Sequence, residues 1–298
     1  MKSLGLPLLF ITLYGSGFVG AKVGLIYAEP FMFLGLRFGA AAMILAAIAL
    51  TLRSPWPKTL GETAHLAGAG LLTIGVFSAG VFYSIALGVP PAMSALIIAL
   101  HPIIVALAAG RLLGERVSLR QWGGLLLGLV GVYFVLSERL LVDPAFFGAA
   151  LLSVIGLLGL SSGNLYQKAK AANMNVFSGG AIQCAVCAKA MFTGAWLFEA
   201  GEINWTHDFL FALIWMTVPV SVGAVSLLYV MIRRGEISRV ASIFYLIPVS
   251  AAVTAFVLFG QTIETSALGG IALTALGVLL VSKPAGVRQG TATKPQDA

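Results

Sequence analysis

The sequence predicts an all-α integral membrane protein of ten transmembrane helices, arranged as two inverted five-helix repeats with the N- and C-termini in the cytoplasm. Three observations predict this fold: a very apolar composition, a series of long apolar runs, and a repeat at a fixed spacing. Of the 298 residues, 59% are hydrophobic and 10% are charged, and the mean hydropathy is +0.99. Soluble domains usually carry about 25% charged and 45–50% apolar residues, so this composition excludes an ordinary soluble protein.

The apolar runs are long enough to form membrane-spanning helices, since about 30 Å of hydrocarbon takes roughly 20 helical residues to cross. The runs are continuously apolar, which favours helices over a β-barrel, whose strands alternate in polarity. The first run has no small-residue cleavage site, so we expect it to be retained as a span. The polar residues 283–298 are predicted to form a disordered cytoplasmic tail. The predicted spans are 4–25, 30–52, 64–86, 90–110, 121–137, 146–168, 176–198, 209–231, 238–259 and 264–282.

The Lys and Arg residues predict the orientation of these helices. With a cytoplasmic N-terminus, only Lys22, near the outer end of the first span, and Arg139 of the 18 basic residues fall on the outer side, and Arg37 and Lys189 fall deeper within spans. Short cytoplasmic loops are enriched in Lys and Arg, so both termini are expected inside. This topology accounts for the net charge of +7 without a nucleic-acid partner. The residues expected inside are Lys2, Arg53, Lys58, Arg111, Arg116, Arg120, Lys168, Lys170, Arg233, Arg234, Arg239, Lys283, Arg288 and Lys294.

The sequence also repeats itself at a spacing of 146 residues, with no gap. The first five-helix repeat is predicted over 1–143 and the second over 147–282. A unit with an odd number of spans inserts its second copy upside down, and Lys22 accordingly falls outside while its counterpart Lys168 falls inside. Inverted repeats are typical of secondary transporters, with a substrate site near the membrane midplane. The matched pairs include Gly17 and Gly163, Tyr83 and Tyr229, Pro102 and Pro248, Gly114 and Gly260, Gly123 and Gly269, and Gly131 and Gly277.

Several short motifs carry a family resemblance that covers the chain to about residue 282. They are Tyr14, Gly15, Ser16 and Lys22 in the first span, Pro102 in the fourth, and Gly114, Glu115, Gln121, Trp122, Gly123 and Gly124 before and in the fifth. With these motifs the sequence resembles the ten-helix, EamA-type exporters of the drug/metabolite transporter superfamily, and most of all the bacterial aromatic amino-acid and amino-acid exporters. The resemblance implies a multi-pass inner-membrane protein that exports small metabolites, including aromatic amino acids, and that functions as a monomer.

Glycine and proline positions indicate how the helices pack and bend. Small residues let helix backbones approach closely in lipid, so we interpret the glycines of the fifth and tenth spans as packing positions rather than as direct transport residues. Pro102 and Pro248 remove a backbone donor and bend their helices, which leaves two readings open, a passive kink or a hinge beside a central site. The packing glycines are Gly123, Gly124, Gly131, Gly269, Gly270 and Gly277.

Polar side chains within the spans are the candidates for substrate contact, because an unpaired polar group in hydrocarbon is costly and generally faces the bundle or a wet cavity. The alternative for each Ser is a hydrogen bond to a carbonyl of its own helix. The candidates are Tyr14, Ser16, Ser78, Tyr83, Ser94, His101, Asn164, Tyr166, Gln183, Lys189 and Tyr245.

Two basic residues, Arg37 and Lys189, fall inside predicted spans that contain no Asp or Glu. Intramembrane charges are functional candidates by default, although Arg37 could extend outward toward Glu29. Lys189 either binds carbonyls, hydroxyls or a substrate carboxylate, or faces lipid. The lack of a buried carboxylate leaves proton antiport and facilitated diffusion both open.

The sequence contains no motif for catalysis or for a cofactor. It has no Walker loop, dinucleotide fingerprint or His/Glu metal motif, so we expect no enzyme activity, no cofactor and no metal. Cys184 and Cys187 form half of a zinc site at most, and apolar filling is the favoured interpretation. The alternatives to an amino-acid exporter are an exporter of other metabolites or drugs, or, in a different class, an integral-membrane enzyme or lipid-handling protein.

Overall fold

The computed structural model describes residues 5–112, 118–120, 122–124, 126–130, 144–234 and 243–259, together with 269, 272–273, 276–277 and 280. Regular structure in these residues is helical, and the extended pairing among them is one isolated bridge between Ala28 and Ile203. Seven helices are long and apolar enough to cross a membrane. They match the predicted spans one to four and six to eight, so the all-helical prediction is confirmed for this part of the chain. Spans 121–137, 238–259 and 264–282 fall wholly or partly outside it, and the count of ten stays a prediction.

The helices that match the third and eighth predicted spans each contain a π-helical segment, named here π1 and π2. The elements are α1 (Gly5–Gly24), α2 (Pro30–Thr51), α3 (Leu60–Gly70), π1 (Leu71–Val76), α4 (Phe77–Ala86), α5 (Pro91–Ile98), α6 (His101–Leu112), α7 (Pro144–Lys170), α8 (Val176–Phe198), α9 (His207–Trp215), π2 (Met216–Ala224), α10 (Val225–Arg234), a 3-10 turn (Ile243–Leu246) and α11 (Ile247–Phe259).

Local sequence explains where several helices begin. The Thr59 and Thr206 hydroxyls accept hydrogen bonds from backbone N–H groups of α3 and α9, and the Asn175 amide oxygen does so for α8. These caps satisfy donors that the first helical turn leaves unpaired. Pro30 and Pro91 begin α2 and α5, where a residue without an N–H group is tolerated.

The two π segments occupy corresponding positions in the sequence. Adding 146 to 71–76 gives 217–222, which lies within π2. Pro219 lies inside π2 and has no N–H group to donate. The same irregularity thus recurs at matched places in the described chain. π segments are rare and are often found at functional sites.

Pro102 and its counterpart Pro248 each follow an interruption of regular α-helix. α5 ends at Ile98 and α6 begins at His101, so Pro102 is the second residue of α6. The 3-10 turn ends at Leu246 and α11 begins at Ile247, so Pro248 is the second residue of α11. Proline has no backbone N–H group to donate to the carbonyl four residues before it, and those residues, Ile98 and Phe244, lie at the end of α5 and in the 3-10 turn.

Helices α2 and α8 form the most extensive interface in the described structure, and they run antiparallel. A Cβ atom added to Gly35 would lie 2.7 Å from the Phe192 ring, and one added to Gly194 would lie 2.9 Å from the Phe31 ring. Glycine at these places lets an aromatic ring pack directly on the opposite backbone.

Glycines also bring α1 onto π2 and α7 onto π1. A Cβ atom on Gly17 would lie 3.2 Å from a Val220 methyl group, and one on Gly163 would lie 2.6 Å from the backbone N of Thr73. Each π segment thus packs against a glycine of the helix that begins the other proposed repeat, α1 or α7. The main buried core includes residues of α1, α2, α4, α8 and π2, and of the helices packed around them.

Among the predicted packing glycines, Gly124 and Gly277 meet one another. A Cβ atom on Gly277 would lie 2.5 Å from the Gly124 carbonyl oxygen and 3.1 Å from the Gly128 backbone N. A side chain at residue 277 would therefore separate the two backbones.

Gly123 and Gly269 do not make such an approach. Both are exposed, and a Cβ atom on either would meet no atom within 4 Å. Their assignment as packing positions is not supported, because the helix face that carries them is open in the part of the chain described. Gly131 and Gly270 lie outside the described residues.

Candidate functional site

A small cavity lies in the middle of the bundle, between α1, α2, π2 and the start of α4. Its volume is about 30 Å³, and its walls include Tyr14, Arg37, Ser78, Phe82 and Val220. A site of this size holds about one water molecule. The cavity therefore combines one cation, two hydroxyl groups and apolar walls in a space that holds about one water molecule.

Arg37 is the charged group of this cavity. Its side chain is 5% exposed, and its Nε donates a hydrogen bond to the Ser221 hydroxyl at 2.7 Å. The guanidinium carbon lies 5.1 Å from the centre of the Phe38 ring and 5.8 Å from that of Phe82, within cation–π range. Arg37 thus points into the bundle, and the alternative that it extends outward toward Glu29 is wrong.

Tyr14 belongs to an aromatic wall on the opposite side of the cavity. Its ring stacks on Phe77 with centroids 5.9 Å apart and meets Phe244 edge-on at 5.4 Å. Ser78, the residue after Phe77 in α4, is buried and lines the same cavity. Two predicted contact residues, Tyr14 and Ser78, therefore lie together with Arg37.

Ser16 lies close to this wall and already has hydrogen-bond partners. Its hydroxyl donates to the Leu13 carbonyl at 2.7 Å and accepts from the Trp215 indole N–H at 3.0 Å. The contact joins α1 to α9, so the structure gives Ser16 a helix-linking position.

His101 and Asn164, both predicted as contacts, meet in a second buried cluster between α6 and α7. His101 Nδ1 lies 2.9 Å from the Ser161 hydroxyl, and Asn164 Nδ2 lies 3.2 Å from His101 Nε2. The Asn164 amide oxygen is buried and has no hydrogen-bond partner among the residues that the structure describes. An unpaired buried acceptor is costly, so this cluster is one place where a water molecule or a ligand would be stabilised.

Ser94 forms a separate link between helices. Its hydroxyl lies 2.8 Å from that of Ser153, which donates to Ser84 at 2.7 Å. All three hydroxyl groups are fully buried and mutually paired, and this chain ties α5 to α7 and α4.

Gln183 occupies the position in α8 that corresponds to Arg37 in α2, 146 residues later. Its Nε2 donates to the Gln167 amide oxygen at 2.8 Å, and its own amide oxygen is buried with no partner in the described part of the chain. It packs on Gly70, beside π1, as Arg37 packs beside π2. The two matched positions differ in charge, one cationic and one neutral.

Tyr83 lies at one end of the bundle, away from the cavity. Its hydroxyl donates to Glu199 Oε1 at 2.7 Å, and the same carboxylate accepts from the backbone N–H groups of Phe31 and Met32 at 2.6 and 2.8 Å. Glu199 therefore caps the N-terminus of α2 from the end of α8. Sequence reasoning missed Glu199 because it follows an apolar run as an ordinary loop residue.

Tyr166 lies toward the opposite end. Its hydroxyl is 2.7 Å from His65 Nδ1, and His65 lines a cavity of about 320 Å³ with Trp56 and Lys170. The distance of this contact from the bundle centre means that Tyr166 belongs to a peripheral surface rather than to the central cavity.

Lys189 and Tyr245 are the two remaining predicted contacts, and Lys189 does not reach the cavity. Lys189 is exposed on the outside of α8, and its counterpart Met43 is 70% exposed on the outside of α2. Against the prediction of a substrate contact, Lys189 thus lies on the surface that faces away from the bundle. Tyr245 falls in the 3-10 turn, and its side chain lies outside the described residues.

Comparison with known proteins identifies the family. The model of the EamA-like transporter family matches twice, over residues 2–137 and 147–283. The uncharacterized transporter YvbV of Bacillus subtilis is 26% identical, covering 91% of this chain and 88% of that protein. A probable amino-acid metabolite efflux pump of Salmonella typhimurium is 25% identical, covering 92% and 93%. The uncharacterized inner membrane transporter YedA of Escherichia coli is 26% identical, covering 90% and 85%.

A solved structure supports the same fold. It is described as "Crystal structure of protein", superimposes with a TM-score of 0.72, and covers 93% of this chain and 95% of its own at 21% identity. At that identity the likeness concerns the fold alone. The resemblance drawn from the sequence motifs is confirmed: this chain belongs to the EamA-like transporter family of the drug/metabolite transporter superfamily.

Proposed function

We propose that this protein is a secondary transporter of the bacterial inner membrane that exports amino acids, including aromatic ones, through the central cavity. The observation that carries the proposal is the cavity itself, in which buried Arg37, Tyr14 and Ser78 converge between helices of the two proposed repeats. Intramembrane polar and charged groups mark substrate pathways by default. The relatives named as amino-acid metabolite efflux pumps support the substrate class.

The proposed repeats, 1–143 and 147–282, predict a specific kind of packing. Two inverted copies are related by an axis in the membrane plane, so matched helices that meet must run antiparallel. Helices α2 and α8 are matched, and they meet in this way, with Gly35 on Phe192 and Phe31 on Gly194. The two position numbers add up to nearly the same value in both pairs, 227 and 225, as they do where helices run antiparallel. Residue 40 and its counterpart 186 add up to 226, so the two helices cross near this matched pair.

A second set of contacts supports the same relation. Gly17 packs on Val220 of π2, and its counterpart Gly163 packs on Thr73 of π1. Shifting Val220 back by 146 gives position 74, next to Thr73. Each proposed half thus presents the same glycine to the same π segment of the other half.

The small volume of the cavity supports alternating access. A volume of about 30 Å³ is too small for an amino acid, so its walls must separate before substrate binds. The helix breaks before Pro102 and Pro248 and the two π segments are the irregular places where such a motion would be absorbed. We propose hinge roles for both prolines on this basis, with both termini cytoplasmic and the monomer as the working unit.

Flux through liposomes tests the proposal. The purified protein is reconstituted, and uptake of a labelled amino-acid panel and of apolar cationic drugs is measured with and without a pH gradient. We expect saturable flux of aromatic amino acids. Flux of drugs alone would favour the superfamily alternative, and no flux of any compound would favour a non-transport function such as lipid handling. Equal flux after the gradient is collapsed would exclude obligatory proton coupling.

A further inference from the structure

We infer that Arg37 makes the central cavity selective for substrates that carry a carboxylate next to an aromatic or apolar group. This inference rests on the proposed function, because it assumes that the cavity is the transport site. It adds the recognised chemical group and the side chain that recognises it.

The guanidinium of Arg37 has hydrogen-bonding capacity to spare. An Arg side chain carries five N–H donors, and among the described residues only Ser221 accepts one of them, from Nε. The Nη groups are therefore available on the cavity side, where Arg37 forms part of the wall. Two parallel Nη donors are the geometry that binds a carboxylate in a bidentate manner.

Among the residues that the structure describes, no carboxylate neutralises the charge of Arg37. The acidic residues of the described chain are Glu29, Glu62, Glu199, Glu202 and Asp208, and each lies in a connection or at a helix end. The rings of Phe38 and Phe82 compensate the cation in part. A buried cation without a carboxylate is costly in a low-dielectric interior, so a substrate anion gains binding energy that a neutral analogue does not.

The rest of the cavity selects the other end of the substrate. Tyr14 and Phe77 stack on one another, and Phe82 and Val220 complete an apolar wall. Aromatic side chains bind planar apolar groups through offset or edge contacts. The cavity thus pairs one cationic position with one aromatic surface.

Among the described residues that line the cavity, Arg37 is the one charged side chain, and the matched position in the other half supplies no second cation. Gln183 replaces the cation with a neutral amide, held by Gln167. A substrate with two carboxylates would leave one of them without a cation at this place. The geometry therefore favours monocarboxylates over dicarboxylates.

Competition in liposomes tests this inference. Uptake of labelled phenylalanine is measured against unlabelled phenylalanine, 3-phenylpropionate, phenylalaninamide and phenethylamine. We expect the first two, which have a carboxylate, to compete at least about 10-fold better than the last two, since a hydrogen bond to a charged group contributes about 1.5–3 kcal/mol. Equal competition by phenylalaninamide and phenylalanine would overturn the inference even where phenylalanine flux is robust.

Variants of Arg37 give the second arm. Arg37→Gln should raise the apparent KM for phenylalanine about 10- to 100-fold and abolish the preference for phenylalanine over phenylalaninamide. Arg37→Lys keeps the charge but loses the two parallel N–H donors, so its apparent KM should lie between those of the wild type and Arg37→Gln. The matched control is Lys189→Met, which removes an exposed cation of the same membrane region and should leave KM unchanged. An Arg37→Gln protein that folds and still prefers phenylalanine would overturn the inference. If that variant does not fold, the wild-type competition series decides alone.

These results separate the two proposals. Flux of amino acids without carboxylate preference contradicts the role of Arg37 and leaves the transporter proposal standing. Absence of flux for every compound contradicts the transporter proposal itself.

Discussion

Replacing Glu199 should loosen the N-terminus of α2 more than any other change at that end of the bundle. The carboxylate accepts three hydrogen bonds, from the backbone N–H groups of Phe31 and Met32 at 2.6 and 2.8 Å and from the Tyr83 hydroxyl at 2.7 Å. A hydrogen bond to a charged group contributes about 1.5–3 kcal/mol, and a negative charge at a helix N-terminus adds about 0.3–1 kcal/mol. Glu199 is only half-buried, so water replaces part of this, and we expect Glu199→Ala to cost about 2–3 kcal/mol locally.

Hydrogen–deuterium exchange measures this change directly. A local loss of about 2 kcal/mol corresponds to roughly 30-fold faster exchange at the first turn of α2. Tyr83→Phe removes one of the three bonds and should accelerate exchange less, and the double variant should be less than additive because both act on one carboxylate. The matched control is Glu202→Ala, an exposed carboxylate three residues away. Unchanged exchange at Phe31 and Met32 in Glu199→Ala would refute the capping role.

Three further predictions concern the bundle interior. His101→Leu leaves the Ser161 hydroxyl and Asn164 without their partner, so we expect the free energy of unfolding to fall by about 1–3 kcal/mol. The measurement is the midpoint of thermal inactivation in detergent, which should be lower. An unaltered midpoint would mean that water replaces the imidazole ring and would contradict this prediction. Gly163→Ala places a Cβ atom 2.6 Å from the Thr73 backbone and should cost about 1–3 kcal/mol in the same assay. Gly123→Ala, whose Cβ atom meets nothing within 4 Å, should be neutral or slightly stabilising because alanine favours helix by about 0.5–1 kcal/mol; a loss there equal to that of Gly163→Ala would contradict the packing account.

The apolar runs predicted the described membrane helices closely, because length and hydropathy alone determine whether a helix spans lipid. The span 176–198, for example, coincides with α8. Uniformly apolar helices carry little information about which face is buried, since the amphipathic pattern that marks a core face is nearly absent. From the sequence, Lys189 was therefore predicted as a substrate contact and Arg37 was not, whereas the structure buries Arg37 and exposes Lys189.

Contacts between distant segments were the part that the sequence could not predict. The cap that Glu199 places on α2 joins residues 167 and 168 positions apart, and no local pattern marks it. The π segments at 71–76 and 216–224 have the same apolar composition as ordinary helix. The 146-residue spacing is an exception, because it matches Gln183 with Arg37 from the sequence alone. The inverted arrangement and the site assignments themselves stay predictions.

The most direct test of transport through the central cavity is thiol labelling at Ser78, which lines it. The chain carries Ser78→Cys with the buried Cys184 and Cys187 replaced by alanine, and a membrane-impermeant reagent is applied to vesicles of both orientations. We predict that residue 78 is labelled from either side and that a transported amino acid slows labelling from both. Labelling from one side only, or labelling that substrate does not affect, would contradict the account.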